Sequence, residues 1–153
     1  MAIDVRAALH SLLPLAIAWA EARAAETALT GIALNEKWLA IARKVGVLRP
    51  ELVRIALVPR LPQPEDPKLL LAAQHAGLLG PNMAGLTLGY AIYIRHGQDT
   101  VRLISHECRH VHQYEQAGSI AAFLPQYLQQ IATVGYANAP FEIDARAHER
   151  HFV

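Results

Sequence analysis

Two histidines and a glutamate lie within five residues, in the sequence His106-Glu107-Cys108-Arg109-His110. On an α-helix, residues four apart differ by about 40° around the axis, so His106 and His110 project from the same face. Imidazoles at that spacing can bind one metal ion. Glu107 is rotated about 100° from His106, where its carboxylate can act on a water without binding the ion. The pattern predicts two zinc ligands and a general base.

A zinc site that catalyses hydrolysis uses three protein ligands and leaves one position for water. Metzincins place Gly seven residues and His ten residues after the first ligand, and Gln113 and Gln116 stand there in this chain. That class is excluded. His112 is about 240° around the helix from His106 and is predicted to face away from the metal. The third ligand must come from elsewhere in the chain.

Acidic residues near the C-terminus are the candidates for this ligand. Glu142 is predicted in the first turn of a helix that begins at Pro140. The chain between His110 and Glu142 is long enough for one helix to turn back toward the motif. We expect Glu142 to complete the site. The alternatives are Asp144, His148 and Glu149, or a site without a third protein ligand.

The segment before the motif has the pattern of a β-strand. Large apolar residues alternate with smaller or more polar ones over residues 86–95. A single strand is predicted, with one face formed by Leu86, Leu88, Ile92 and Ile94. A second strand is predicted over residues 51–58, followed by a proline-rich loop.

The rest of the chain is predicted to be helical. The helices are expected over residues 12–29, 34–45, 68–76, about 100–117, 120–134 and 140 to about 151. The helix that carries the motif is predicted to begin at a cap formed by Asp99 or Thr100 and to end before Gly118.

These elements predict an α+β fold that is mostly helical. The active-site helix is expected to pack on a small sheet, and the helix with the third ligand lies at the C-terminus. No repeat is visible and neither half has an obvious core of its own, so a single domain is predicted over residues 1–153. Its N-terminal helical part covers residues 1–48, and the part with the motif and Glu142 covers residues 86–150.

The residues around the motif resemble small bacterial zincin-type metallopeptidases of the gluzincin kind. In that group an HExxHxxQ helix, here residues 106–113, follows a Thr-x-Gly strand, here Thr87-Leu88-Gly89. The likeness covers residues 34–147 and is specific over residues 87–142. It implies a zincin architecture whose edge strand lines the cleft. It also implies a glutamate ligand followed three residues later by Ala, as Ala145 follows Glu142, although related membrane peptidases carry Asp where this chain has Arg146.

Hydrolysis of a peptide at such a site requires further groups. Glu107 is expected to take a proton from water and pass it to the leaving amine. Tyr136 is the first candidate to donate a hydrogen bond to the oxyanion, ahead of His148 and Tyr127. If the strand over residues 90–95 forms the sheet edge, an extended peptide can add to it. The candidate substrate-binding residues are then Tyr90, Ile92 and Tyr93.

The sequence therefore predicts a zinc-dependent peptide-bond hydrolase similar to metalloendopeptidases, acting on a peptide or protein substrate. The alternative is a zinc-binding adaptor or interaction module that has lost catalysis. A helical structural protein without metal is a third possibility.

Composition argues against several other classes. The 153 residues are 53% hydrophobic and 18% charged, which suits a single domain with a substantial core. The net charge of +1 provides no general field for binding nucleic acid. The single cysteine, Cys108, cannot form an intramolecular disulfide and is predicted to face the core. Polar residues interrupt the uncharged runs, so no membrane span is expected, and a cytoplasmic location is predicted with export as the alternative because of the run over residues 7–20.

Overall fold

The computed structural model describes residues 5–152, so residues 1–4 and residue 153 of the predicted domain lie outside the described part. Residues 5–152 form six α-helices and four β-strands, with a short 3-10 turn over Pro50–Leu52. The helices are α1 (Val5–Thr30), α2 (Glu36–Lys44), α3 (Pro67–His75), α4 (Val101–Ala117), α5 (Ile120–Val134) and α6 (Pro140–Ala147). The strands are β1 (Ile32–Ala33), β2 (Arg54–Val58), β3 (Gly85–Leu88) and β4 (Ala91–Arg95). The predicted α+β, mostly helical fold is confirmed.

The four strands form one mixed sheet in the order β1-β2-β4-β3. β2 and β4 are parallel, whereas β1 and β3 run antiparallel to their neighbours. The prediction of one strand over residues 86–95 is wrong, because β3 and β4 form a hairpin. Gly89, with φ +66°, adopts the left-handed conformation that the tight reversal needs.

This hairpin also changes which side chains share a face of the sheet. Thr87 pairs with Ile92 and Leu86 pairs with Tyr93, and paired residues point to the same side. Thr87 and Ile92 therefore lie on the opposite face from Leu86 and Leu88, and the predicted common face is wrong. The order also makes β4 a central strand and β3 an edge strand.

Two apolar clusters pack on the two faces of the sheet. On one face, Ile92 and Ile94 of β4 pack with Ile41 of α2 and with Ile104 and Cys108 of α4. On the other face, the sheet packs with α1 and α5 in a cluster that includes Ala16, Ala20, Leu88, Tyr93 and Leu124. α4 is thus fixed against the sheet by its apolar side. Within residues 5–152, no helix has both the length and the apolar character to cross a bilayer.

The ends of α4 follow the predicted capping pattern. The Thr100 side chain accepts a hydrogen bond from the Leu103 amide at 3.2 Å, and Gly118 ends the helix with φ +102°. α6 is shorter than predicted and ends at Ala147 instead of near residue 151. α1 is longer than predicted, because it begins at Val5 instead of near residue 12, and Pro14 lies inside it.

Cys108 gives a first test of the packing of α4. Its side chain is fully buried, and burial, followed by the charge of Glu107, raises the pKa of the thiol to about 12. We expect the thiol of the native protein to resist a disulfide reagent such as dithiobisnitrobenzoate for hours, and to react with one equivalent in guanidinium chloride. Fast labelling under native conditions would contradict this packing.

Candidate metal centre

α4 and α6 bring two imidazoles and one carboxylate together in the interior. His106 and His110 lie one turn apart on α4, and Glu142 lies in the first turn of α6, where Pro140 occupies the start of the helix. Nε2 of His106 is 3.1 Å from Oε1 of Glu142, and Nε2 of His110 is 3.0 Å from Oε2 of Glu142. The exposed fractions of the three residues are 6%, 6% and 1%. This is a buried three-residue group.

The donor set of this group fits a small divalent cation. One ligand atom from each residue lies within 4.8 Å of the other two. A tetrahedral zinc ion about 2.1 Å from each donor needs the donors about 3.4 Å apart. Each imidazole lies 3.0–3.1 Å from a different oxygen of Glu142, so one oxygen must turn toward both imidazoles when a metal binds. His106, His110 and Glu142 could therefore hold a metal ion after small side-chain shifts.

Acceptors on the other ring nitrogens orient both imidazoles. Nδ1 of His106 is 2.8 Å from Oε2 of Glu149, and Nδ1 of His110 is 2.7 Å from Oε1 of Gln113. An imidazole that donates from Nδ1 to such an acceptor keeps the lone pair of Nε2 free for a metal. Both Nε2 atoms point to Glu142. These outer contacts are the kind that metal-binding histidines use.

The alternative ligands have other roles in the structure. Asp144 accepts hydrogen bonds from Arg109 at 2.8 and 3.2 Å and from Gln113 at 2.9 Å, which ties α6 to α4. Glu149 lies on Nδ1 of His106, away from Nε2. The ring of His148 contacts the carbonyl oxygen of Asp144 at 2.8 Å. Of the four candidates, Glu142 is the one that meets the Nε2 atoms of both histidines.

Strong electrostatic coupling holds the metal-free group together. Burial by itself lowers the pKa of His106, but the hydrogen bond to Glu142 and the charges of Glu107 and Glu142 outweigh it and raise the pKa to about 9. Burial by itself raises the pKa of Glu142, but hydrogen bonds from His106 and His110 hold it well below its usual value. Without metal, the group is a buried ion pair.

The metal-free protein should therefore become less stable as the pH rises from about 6.5 to about 9. The folded pKa of His106 exceeds its unfolded value of about 6.5, so the folded state binds more protons in this window and the stabilisation is lost through it. Urea unfolding of chelator-treated protein should show a loss of about 2–3 kcal/mol. The exposed His96 provides a control, because His96→Asn should keep this slope. A free energy of unfolding that rises across the window would contradict the ion pair.

Glu107 is held beside this group by the edge strand. Its Oε1 accepts a hydrogen bond from Oγ1 of Thr87 on β3 at 2.8 Å. A Cβ atom at Gly85 would lie only 3.0 Å from Oε2 of Glu107, so glycine leaves room for the carboxylate. Glu107 lines the same cavity as His110 and Glu142. This placement agrees with a carboxylate beside a metal ion rather than bound to it.

Tyr127 and Tyr136 also line this cavity. We call the part lined by these two tyrosines and by Glu107, His110 and Glu142 the polar end of the cavity. The Tyr127 hydroxyl donates a hydrogen bond to Oε2 of Glu142 at 2.8 Å. Burial, followed by the charge of Glu142, raises the pKa of both Tyr127 and Tyr136 well above the usual value. Both phenols keep their protons at neutral pH and remain donors.

The predicted substrate-binding strand lies elsewhere. Residues 91–95 form the central strand β4, paired on both sides, so their main chain is not free to add a peptide. Ile92 is fully buried, and the Tyr93 hydroxyl is 3.0 Å from the carbonyl oxygen of Arg23 on α1. Tyr90 lies in the hairpin turn and donates to Glu115 at 2.9 Å. The condition that this strand forms the sheet edge is not met, since it is a core strand, and the reason for assigning substrate contacts to Tyr90, Ile92 and Tyr93 is removed.

The positioning roles of three residues were not predicted from the sequence, although Gln113 and Thr87 belong to the motifs of the resemblance and Glu149 was an alternative ligand. Gln113 lies three residues after His110, and this spacing on a helix is the signal that could have identified it. Thr87 and Glu149 are distant in the sequence from the residues they contact, and their residue types alone give no indication of the partner.

Comparison of this chain with models of protein families, with curated proteins and with solved structures finds no match in any of the three.

Proposed function

We propose that this protein is a zinc-dependent peptide-bond hydrolase in which His106, His110 and Glu142 hold the metal and Glu107 is the general base. The observation that carries the proposal is a buried group of three possible metal ligands, two of which, His110 and Glu142, line one cavity together with the separate carboxylate of Glu107. A buried ion pair serving only stability would need no second carboxylate at the same place. The separate carboxylate favours a hydrolase.

The donor set favours zinc over the other common divalent ions. Two imidazoles and one carboxylate are the ligands of several catalytic zinc sites, whereas calcium and magnesium prefer oxygen ligands alone. When bound, zinc lowers the pKa of water toward 7 and polarises a carbonyl group. The buried surroundings strengthen both effects, because the local dielectric constant is low.

The side chains of this chain then divide the proton transfers and the charge stabilisation. Glu107 takes the proton of the attacking water and delivers it to the leaving amine. Thr87 fixes the orientation of that carboxylate through its 2.8 Å hydrogen bond. Tyr136 remains protonated and is the proposed donor of a hydrogen bond to the developing oxyanion, which requires it to exchange its present hydrogen bond with Glu142. The Tyr127 hydroxyl donates to Glu142 at 2.8 Å.

The free edge of the sheet provides a place for the substrate main chain. β3 pairs only with β4, so Gly85–Leu88 have no strand on their outer side among the described residues. The Thr87 carbonyl oxygen accepts a hydrogen bond from the Tyr114 hydroxyl at 3.2 Å, which a substrate main chain would have to replace. An extended peptide added there would pass Thr87 and Gly85, which contact Glu107. This assigns to β3 the role that the sequence suggested for residues 90–95.

Elemental analysis of protein purified without a histidine tag, combined with a broad peptide library, tests the proposal. One zinc ion per chain and zinc-dependent cleavage are the expected results. Zinc binding without cleavage of any peptide would instead favour the adaptor, and absence of bound metal would leave only the buried ion pair.

Gln113 allows a test of the metal site that does not depend on cleavage. Gln113→Leu removes the acceptor on Nδ1 of His110, and loss of such an outer contact weakens metal binding by about 10–100-fold. Competition with a chromophoric chelator measures this change. Gln116→Leu is the matched control, because Gln116 is an exposed glutamine on the same helix. Equal affinities of the two variants would contradict the outer contact.

A further inference from the structure

The side chains of the candidate metal centre are buried, and the cavity beside them is narrow in this conformation. The four central residues of this centre, His106, Glu107, His110 and Glu142, are 1–6% exposed. The cavity lined by Glu107, His110 and Glu142 has a volume of about 130 Å³. Sites that bind small organic ligands usually have volumes of about 300–1,000 Å³. A peptide on β3 that also places a side chain in this cavity needs more room than 130 Å³, so we expect part of the cavity wall to move.

The first half of α1 is the weakly packed part of that wall. Leu9, Leu12 and Leu13 line the cavity, together with residues of α3, across from the polar end. None of residues 7–15 is buried, whereas Ala16 and Ala20 in the following turns are 8% and 0% exposed. Residues 8, 9, 12 and 13 are half-buried, so less apolar area holds the first half of α1 than the second half, and displacing the first half costs less free energy.

Pro14 separates this half of α1 from a firmly anchored half. A proline inside a helix removes one main-chain hydrogen bond and favours a bend at that point. Beyond it, the Thr27 hydroxyl donates to the Tyr93 hydroxyl at 2.7 Å, and the Tyr93 hydroxyl donates to the carbonyl oxygen of Arg23 at 3.0 Å. The second half of α1 is thus bound to the central strand β4, and Pro14 lies at the natural pivot.

We propose that residues 7–14 of α1 form a cover over the candidate metal centre, that this cover swings about Pro14, and that the groove beneath it takes an uncharged apolar stretch of the substrate. This inference gives the substrate class for the proposed function and rests on it for its purpose. The motion itself requires neither metal nor turnover.

The chemistry of the groove determines the occupant. Its wall is formed by aliphatic and aromatic side chains, among them Trp19, Leu69, Met83 and Leu86. Among the residues whose side chains the structure describes, the acidic ones that line the cavity are Glu107 and Glu142, both at the polar end. A charged side chain in the apolar part would lose its hydration without gaining a partner. Leucine-like side chains, such as those the cover itself presents, fit the groove.

A thiol placed under the cover measures its opening. Ala72 of α3 lines the cavity and is 9% exposed, and Ala72→Cys is a small change. We expect the full chain carrying this substitution to be modified slowly by methyl methanethiosulfonate, as followed by mass spectrometry. The fully buried Cys108 serves as an internal control, since its modification reports global unfolding instead.

Two further changes should move the rate at position 72 in opposite directions. Leu12→Ser with Leu13→Ser weakens the contacts of the cover and should accelerate modification about tenfold or more. Pro14→Ala restores the helical hydrogen bond and should slow it about threefold or more. Leu15→Ser is the matched control, because Leu15 is 45% exposed and should leave the rate unchanged. The cover would be overturned if the cysteine at position 72 were modified at the same rate in all variants. It would also be overturned if the modification of Cys108 accelerated together with that of position 72.

Protection by added peptides tests the occupant. A neutral leucine-rich peptide should slow modification at position 72, and a peptide of the same length rich in aspartate should not. Equal protection by both peptides, or by neither, would overturn the apolar substrate class. These measurements work on metal-free protein, so they do not depend on hydrolysis. If the modification rates differ between the variants as expected but no peptide is hydrolysed, the proposed function alone is rejected. If zinc-dependent hydrolysis occurs but all variants are modified at position 72 at the same rate, the cover alone is rejected.

Discussion

Glu107→Gln is expected to reduce kcat for zinc-dependent peptide hydrolysis by about 10²–10⁴-fold, the range that a general base contributes. Glutamine keeps the size of the side chain and can still pair with Thr87, which is 2.8 Å from Oε1 of Glu107. It cannot accept the proton of the attacking water. Zinc content should stay at one ion per chain, because the metal-binding atoms belong to other residues. Steady-state kinetics on a cleaved library peptide, with parallel metal analysis, provides the measurement.

A neutralised acid far from the site controls for a general effect of charge. Glu65→Gln changes an exposed residue of the proline-rich loop and should leave kcat and zinc content unaltered. Full activity of Glu107→Gln would remove Glu107 from the role of base. Loss of zinc together with activity would mean that Glu107 supports the metal site itself, and the separation of base and ligands would then be wrong.

Local patterns in the sequence determine α4 and the position of its two histidines. The residues that cap this helix and the four-residue spacing of the imidazoles act within a few turns, so they can be read without knowing the fold. The strands show the limit of this approach. Alternation of apolar residues continues in phase through Gly89, and the pattern alone does not show that the chain reverses there.

Contacts between distant segments could be predicted only in part. Glu142 was expected near His110 because a ligand was chemically required, and the structure brings the two residues to 3.0 Å. No such requirement pointed to the contact of Glu149 with Nδ1 of His106. The direction in which an acidic residue projects after the end of α6 depends on how α6 packs on α4, and this packing is tertiary information. The helix spacing indicated the centre of the site, whereas its outer contacts required the fold.

Glu142→Gln is expected to weaken zinc binding on the order of a thousandfold, because the 10–16 kcal/mol typical of zinc binding is shared among only a few ligands. The amide keeps the shape of the side chain but removes the negative charge that faces both imidazoles at 3.0–3.1 Å. Competition with a chelator of known affinity, at fixed pH, measures the loss.

The two neighbouring acids provide a graded comparison for this variant. Glu149→Gln should weaken zinc binding by only about 10–100-fold, because Glu149 orients His106 through Nδ1 without binding the metal. Asp144→Asn should have a similar or smaller effect, since Asp144 pairs with Arg109 and Gln113. The order of the three losses identifies the third ligand. If Glu149→Gln or Asp144→Asn weakened zinc binding more than Glu142→Gln, that residue would be the third ligand instead. The position assigned to Glu107 relative to the metal would then be wrong as well.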